Sequence, residues 1–224
     1  MTSLTTITMA ALWVMTAQEM RPEWAGETVP DTVVTLVERA TQAPDGDERK
    51  SWLRSAEQQA RASVVDHQDD VGRRYALAVV LGLRANEEGG QTKVRAASDL
   101  SKELDAILAV EPGHAGARHM LGRLHAGIRR MNRVTRWIAT NLLGGGELEK
   151  ATWELAEENL AFAEAHAPGV ADHHLQLALL YRDTNRPVRA QEELAHVLEF
   201  EATSALEAEV LAEAAEVLER LSHQ

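Results

Sequence analysis

The chain contains no cysteine, which excludes disulfide frameworks, thiolate catalysis, iron–sulfur clusters and Cys-based zinc sites together. Aromatic side chains are scarce, at 4% of the residues, and a large all-β core normally draws on more of them. Positive charge is short as well: 23 Lys and Arg stand against 35 Asp and Glu, and the resulting net charge of -12 opposes general binding to a phosphate backbone. A membrane-spanning helix takes about 20 apolar residues. The most continuous apolar stretch near the start, Ile7 to Met15, has nine. Residues 1–25 are therefore read as an N-terminal arm, or as a signal-type segment cut near Ala17, although no Lys or Arg precedes its apolar core. Cytoplasmic and exported locations both stay open. Pro22, Gly26 and Pro30 interrupt regular structure before the main body, residues 26–224.

What the chain has in quantity is alanine, with 45% apolar and 26% charged residues over 224 positions, the balance of a helical protein large enough to bury a core. Self-comparison is more informative than any single motif. Ala156, Leu160 and Ala163 recur 34 positions later as Ala190, Leu194 and Val197. Ala115, Leu121, Gly122 and His125 recur 56 positions later as Ala171, Leu177, Ala178 and Tyr181. A weaker copy places Gln68, Leu77, Ala78 and Leu81 44 positions before Pro112, Leu121, Gly122 and His125. Thirty-four is the period of the tetratricopeptide helix pair. The longer offsets then mean that one repeat carries 22 extra residues between its two helices and another carries 10.

The spacing predicts helices near 31–41, 48–66, 70–86, 93–110, 114–129, 148–166, 170–184 and 188–200, and a last one from about 204 to 222. Ser204 and Glu207 have the spacing of a capping box, and Leu206, Val210, Leu211, Ala214, Val217, Leu218 and Leu221 form one stripe opposite a Glu-rich face. The fold expected is all-α: a tetratricopeptide-like solenoid of about four helix pairs with inserts and a C-terminal capping helix.

The run from Pro112 to Ala126 (PGHAGARHMLGRLHA), followed by Leu142-Leu-Gly-Gly-Gly and by His173-His-Leu-Gln-Leu-Ala, resembles the tetratricopeptide-like proteins of the regulator of microtubule dynamics family, particularly its bacterial relatives. Gly89-Gly90-Gln-Thr-Lys93-Val94 is similar to an insertion of the same relatives, and the resemblance covers roughly residues 50–222. It implies an all-helical adaptor. Eukaryotic members are associated with microtubules and bacterial ones have no settled activity, so microtubule binding is not carried over. Ile107 stands where the repeat expects a small residue, and His125 where it expects tyrosine.

Helical repeats of this type bind extended peptides or helices in the groove lined by the first helix of each pair. The register puts Tyr75, Val79, His119, Arg123, Leu175, Leu179 and Arg182 on that groove, a mixture suited to a protein segment with apolar anchors and an acidic group. Residues 112–146 hold six arginines and no acid, a local +6 within a chain of -12. Arg129, Arg130, Arg133, Arg136 and Trp137 make this insert a basic amphipathic helix. Three uses of it stay open: an intramolecular plug in which Trp137 fills the solenoid, a contact for an acidic protein, or an anionic membrane surface.

No cofactor or metal is expected. His166, His173 and His174 lack the HExxH spacing, and adjacent helical residues point about 100° apart. Gly144, Gly145 and Gly146 lack the Lys of a phosphate loop and read as a hinge. The reading reached is a non-enzymatic adaptor that binds a protein partner, not nucleic acid. The alternatives are a peripheral membrane or cell-envelope protein using the basic insert, and a small-ligand carrier or enzyme.

Overall fold

A computed structural model describes residues 22, 24–141, 143, 145–202 and 205–223. The arm expected over residues 1–25 and the Ser204 cap lie wholly or largely outside these. Among the described residues are ten α-helices and one short 3-10 turn: α1 (Asp31–Gln42), α2 (Asp47–Asp66), α3 (Val71–Glu87), α4 (Gly90–Val110), α5 (Ala115–Arg130), α6 (Arg133–Asn141), the turn Gly146–Lys150, α7 (Trp153–His166), α8 (Ala171–Asp183), α9 (Pro187–Val197) and α10 (Ala205–Ser222).

Local chemistry sets several of the starts. Asp70 accepts from the Arg73 backbone N–H at 3.0 Å, His114 Nδ1 from Ala117 at 3.2 Å and Thr152 Oγ1 from Leu155 at 3.1 Å, each satisfying an orphan donor of a first helical turn. Pro187 occupies the first turn of α9, where its missing N–H costs nothing.

The helices pack in sequential pairs: α1 with α2, α3 with α4, α5 with α7, and α8 with α9, while α10 closes the end against α8 and α9. The chain is thus all-α and tetratricopeptide-like, with four pairs and a capping helix. The repeat offsets run further than the sequence comparison found. Ala56, Leu100, Ala156 and Ala190 are equivalent on the second helices, as are Ala60, Leu104, Leu160 and Leu194, and all eight are buried. On the first helices Val33, Leu77, Leu121 and Leu177 are equivalent and buried, which makes α1 the start of the array.

A small residue lets two helices approach at each crossing, and a branched one fills the space beside it. Gly122 shows how tight this is, because a Cβ there would lie 2.6 Å from Leu160 Cγ and 3.0 Å from the Ala156 carbonyl oxygen. Ile107 is fully buried in the first core, so the larger side chain is accommodated. His125 is buried with no hydrogen-bond partner for Nδ1.

The 10 extra residues lengthen helices instead of forming a loop: α2 and α4 have 20 and 21 residues, α7 and α9 only 14 and 11. The 22-residue insert forms α6 and the 3-10 turn, and is anchored by a separate small core of Val94, Ile128, Ala139, Leu148 and Ala151. Gly145, expected in a hinge, is instead wedged in place: its N–H donates to the Ala139 carbonyl at 3.0 Å, and a Cβ would lie 2.7 Å from that oxygen.

Gly122→Val should cost about 1–3 kcal/mol by overpacking, and Leu160→Ala about 2–5 kcal/mol by leaving a cavity. In urea unfolding the double variant should lose less than the sum of the two, because the added methyls enter the space that Leu160 vacates.

Candidate functional site

The first helices α3, α5 and α8 meet along a seam, and the polar side chains collected there come from residues spaced by the repeat. His119 Nε2 lies 3.0 Å from Asp172 Oδ2, with 53 positions between the two residues. Arg130 Nε donates to Asp183 at 2.5 Å over the same 53 positions. That is three less than the repeat offset of 56, so each contact joins a residue on α5 to one a single turn earlier on α8. Tyr75 obeys the same rule one repeat before: it packs against Gly116, at three less than the offset of 44, and its ring centroid is 4.5 Å from that of His114.

Asp172 is the hub. It accepts from Arg123 Nη1 at 2.9 Å and from Gln176 Nε2 at 2.9 Å besides its contact with His119. Burial pushes its carboxyl upward, but the His119 hydrogen bond, the Arg123 charge and the Gln176 amide outweigh that and hold it well below the usual carboxylate range. The His173 ring stands 4.5 Å from that of His119, and its Nδ1 donates to the Ala167 carbonyl at 3.2 Å. Burial, followed by the neighbouring His119, pulls His173 down to about 4.

The expected groove residues divide into three groups. Tyr75 and Val79 are half-buried on α3. His119 is buried in the seam, while Arg123 and Arg182 keep 45% and 36% of their side chains open. Leu175 and Leu179, by contrast, are buried, at 1% and 7% exposure, in the second core. Their expected place on an open groove is corrected, because α8 is packed by α5, α7, α9 and α10 together. The arginines are also engaged within the chain: Arg123 by Asp172, Arg182 by Asp183 at 2.8 Å. The sequence pattern marks Asp183 only as a turn residue and gives Asp172 and Gln176 no role; for the two acids the signal was the repeat offset less one turn.

In the basic insert, Trp137 is 56% exposed, so it does not fill the solenoid. Arg130 pairs with Asp183, and the Nε of half-buried Arg129 is enclosed without a hydrogen-bond partner. Arg133 and Arg136 form no ion pair among the described residues; the Arg136 guanidinium donates to the Met131 carbonyl at 3.5 Å.

The histidines singled out as metal candidates point elsewhere. His166 stacks on Phe162, and His174 lies between the Glu193 carboxylate at 2.8 Å and the Pro168 carbonyl at 3.2 Å. No group of three potential ligands converges among the described residues. A cleft of about 280 Å³ is lined by Glu57, Arg84, Thr92, Arg95, Ala96 and Asp99, but Glu57 is held by Arg61 and Arg84, and Asp99 by Arg61 at 2.6 Å. No described helix is long and apolar enough to cross a membrane.

The family model described as regulator of microtubule dynamics protein 1-3 matches residues 32–222, from the first turn of α1 to the end of α10. The chain belongs to this family. No curated protein matches it. The match takes in both inserts as well as all four pairs.

The seam makes the family member's stability depend on pH. Unfolded His173 protonates near 6.5, the folded residue only at about 4, so the unfolded chain binds the extra proton first as pH falls. Stability should drop between those values and be fully lost from this group below about 4. Buried His125 acts in the same direction, and Asp172 adds to the fall only below the ordinary carboxylate value of 3.8. Thermal unfolding of His173→Gln across this range should show a flatter decline than the wild type.

Proposed function

We propose that this member of the regulator of microtubule dynamics family is a non-enzymatic adaptor, and that the face formed by its first helices holds a segment of a partner protein. The observation that carries the reading is the placing of Arg123 and Arg182: each is half-open, on adjacent first helices, and each rests on a carboxylate of its own chain. A partner segment lying along that face meets one guanidinium group near the start of α8 and another at its end, each already fixed in position by its own carboxylate. An Arg fork takes a carboxylate bidentately, and a preorganised one loses less entropy on doing so. Tyr75 and Val79, half-buried on the preceding first helix, offer apolar contact to the same segment.

The alternative of a carrier or enzyme finds less support. The seam has a half-buried acid and two histidines, but both Asp172 and His173 are committed to neighbours within the fold.

Arg123→Glu and Arg182→Glu, made in the full chain and compared with wild type in capture from the source organism, should each lose the same partners. Asp172→Asn serves as the second arm: it frees Arg123 from its internal carboxylate, so capture should be kept or strengthened while thermal stability falls. Partners retained by both charge reversals would count decisively against the seam as the binding face.

A further inference from the structure

Helix α6 is almost entirely uncovered. Of its nine residues only Ala139 is buried, and through it the helix is pinned to Val94, Ile128 and Leu148. On the outer side Val134, Trp137 and Ile138 are 68%, 56% and 37% exposed. Their spacing of three and four places them on one helical face. Three large apolar side chains on so short an exposed helix form a patch that solvation alone opposes.

The charge around that patch is of one sign. Residues 112–146 carry six arginines and no acid. Arg118, Arg123 and Arg130 are turned to Asn159, Asp172 and Asp183 of the body, whereas Arg133 and Arg136, inside α6, form no ion pair among the described residues. Trp and Arg are also the side chains that most often concentrate binding energy at protein contacts.

We infer that α6 is a docking surface for an acidic amphipathic segment of a partner protein, one whose apolar stripe covers Val134, Trp137 and Ile138 while carboxylates beside the stripe engage Arg133 and Arg136. The inference rests on the adaptor reading but uses a different surface from the seam.

The alternative complement is an anionic bilayer, and charge decides between them. A bilayer is an extended plane, so it meets the whole molecule, whose residues outside 112–146 sum to -18. A single segment meets only what lies within a Debye length of about 8 Å, and there α6 is positive. Three apolar side chains also give little area to insert below lipid headgroups. A second copy of the chain fits less well. The outward face of α10 is acidic through Glu209, Glu213, Glu216 and Glu219, but between them it exposes alanines and nothing large enough to cover a tryptophan.

The test titrates the full chain into a labelled synthetic helical peptide that carries a leucine stripe flanked by glutamates, reading fluorescence anisotropy. The expected result is saturable, salt-sensitive binding that Trp137→Ala weakens about tenfold or more. Arg133→Glu combined with Arg136→Glu should abolish it, and a peptide with lysines in place of the glutamates should bind that double variant instead. Arg133 and Trp137 are exposed and Arg136 is half-buried, so an unchanged thermal midpoint will show that each variant is folded.

The inference is overturned by absence of saturable binding, by equal binding of a scrambled peptide, or by variants that bind like wild type. It is likewise overturned if Trp137 instead governs sedimentation with vesicles of 30% phosphatidylserine or self-association of the chain. Arg123→Glu should leave peptide binding intact. Failure of the peptide arm therefore removes α6 alone, and failure of the seam variants removes the seam as the binding face alone.

Discussion

The structure depends on close approach between paired helices at positions that hold alanine or glycine. Ala56, Gly122, Ala156, Ala178 and Ala190 are all buried where one helix crosses another, and the leucines beside them gain their contacts only because those crossings are tight. A pair by itself leaves its outer faces apolar, so each repeat is stable through its neighbours. This explains why α10 is needed at the end. Its Ala214, Val217 and Leu221 enter the second core, and its glutamates face outward. It also explains how the inserts are tolerated. They extend α2 and α4, or leave the array between α5 and α7, so no crossing is disturbed.

On this scaffold the charged residues do two kinds of work. Within the array they tie helices together: Arg84 to Glu57, Arg61 to Asp99 at 2.6 Å, Arg74 to Glu103 at 2.7 Å, and Arg186 at the start of α9 to Glu157 on α7 at 2.7 Å. These partly exposed pairs are individually modest, and they set register more than they add stability. In the seam, Asp172 gathers three donors in a less hydrated place, and the same burial that makes those bonds strong keeps His173 neutral. The pH sensitivity of the fold and the placing of Arg123 thus have one origin.

The periodicity of small and branched residues makes the fold legible in the sequence, because packing obliges each crossing to repeat. The 22-residue insert and its basic helix were legible for the same reason, as an interruption of the period. Less was visible in the seam. His119 and Arg123 stood out, but Asp172, one turn before the repeat equivalent of His119, carried no motif of its own. Leu175 and Leu179 were assigned to an open face because the register describes a generic pair, whereas α8 here is enclosed by four other helices. The exposure of Trp137 was not readable at all, since a tryptophan in an amphipathic stretch has the same pattern whether its apolar side turns in or out.

That last ambiguity bears on how this chain differs from a bare repeat array. An insert that merely filled space would be expected to bury its largest side chain, and α6 buries its smallest, Ala139. The anchoring core beneath it, with Gly145 held against the Ala139 carbonyl, fixes the helix in orientation without using Trp137, Ile138 or Val134. Fixing a helix by one small residue while its aromatic and branched side chains stay outside removes the entropy cost of ordering those side chains at a later contact. The arginines complete the arrangement. Arg123 and Arg130 are paired with carboxylates of the body and Arg118 with Asn159, whereas Arg133 and Arg136, which form no ion pair among the described residues, lie on a helix whose apolar face is also open.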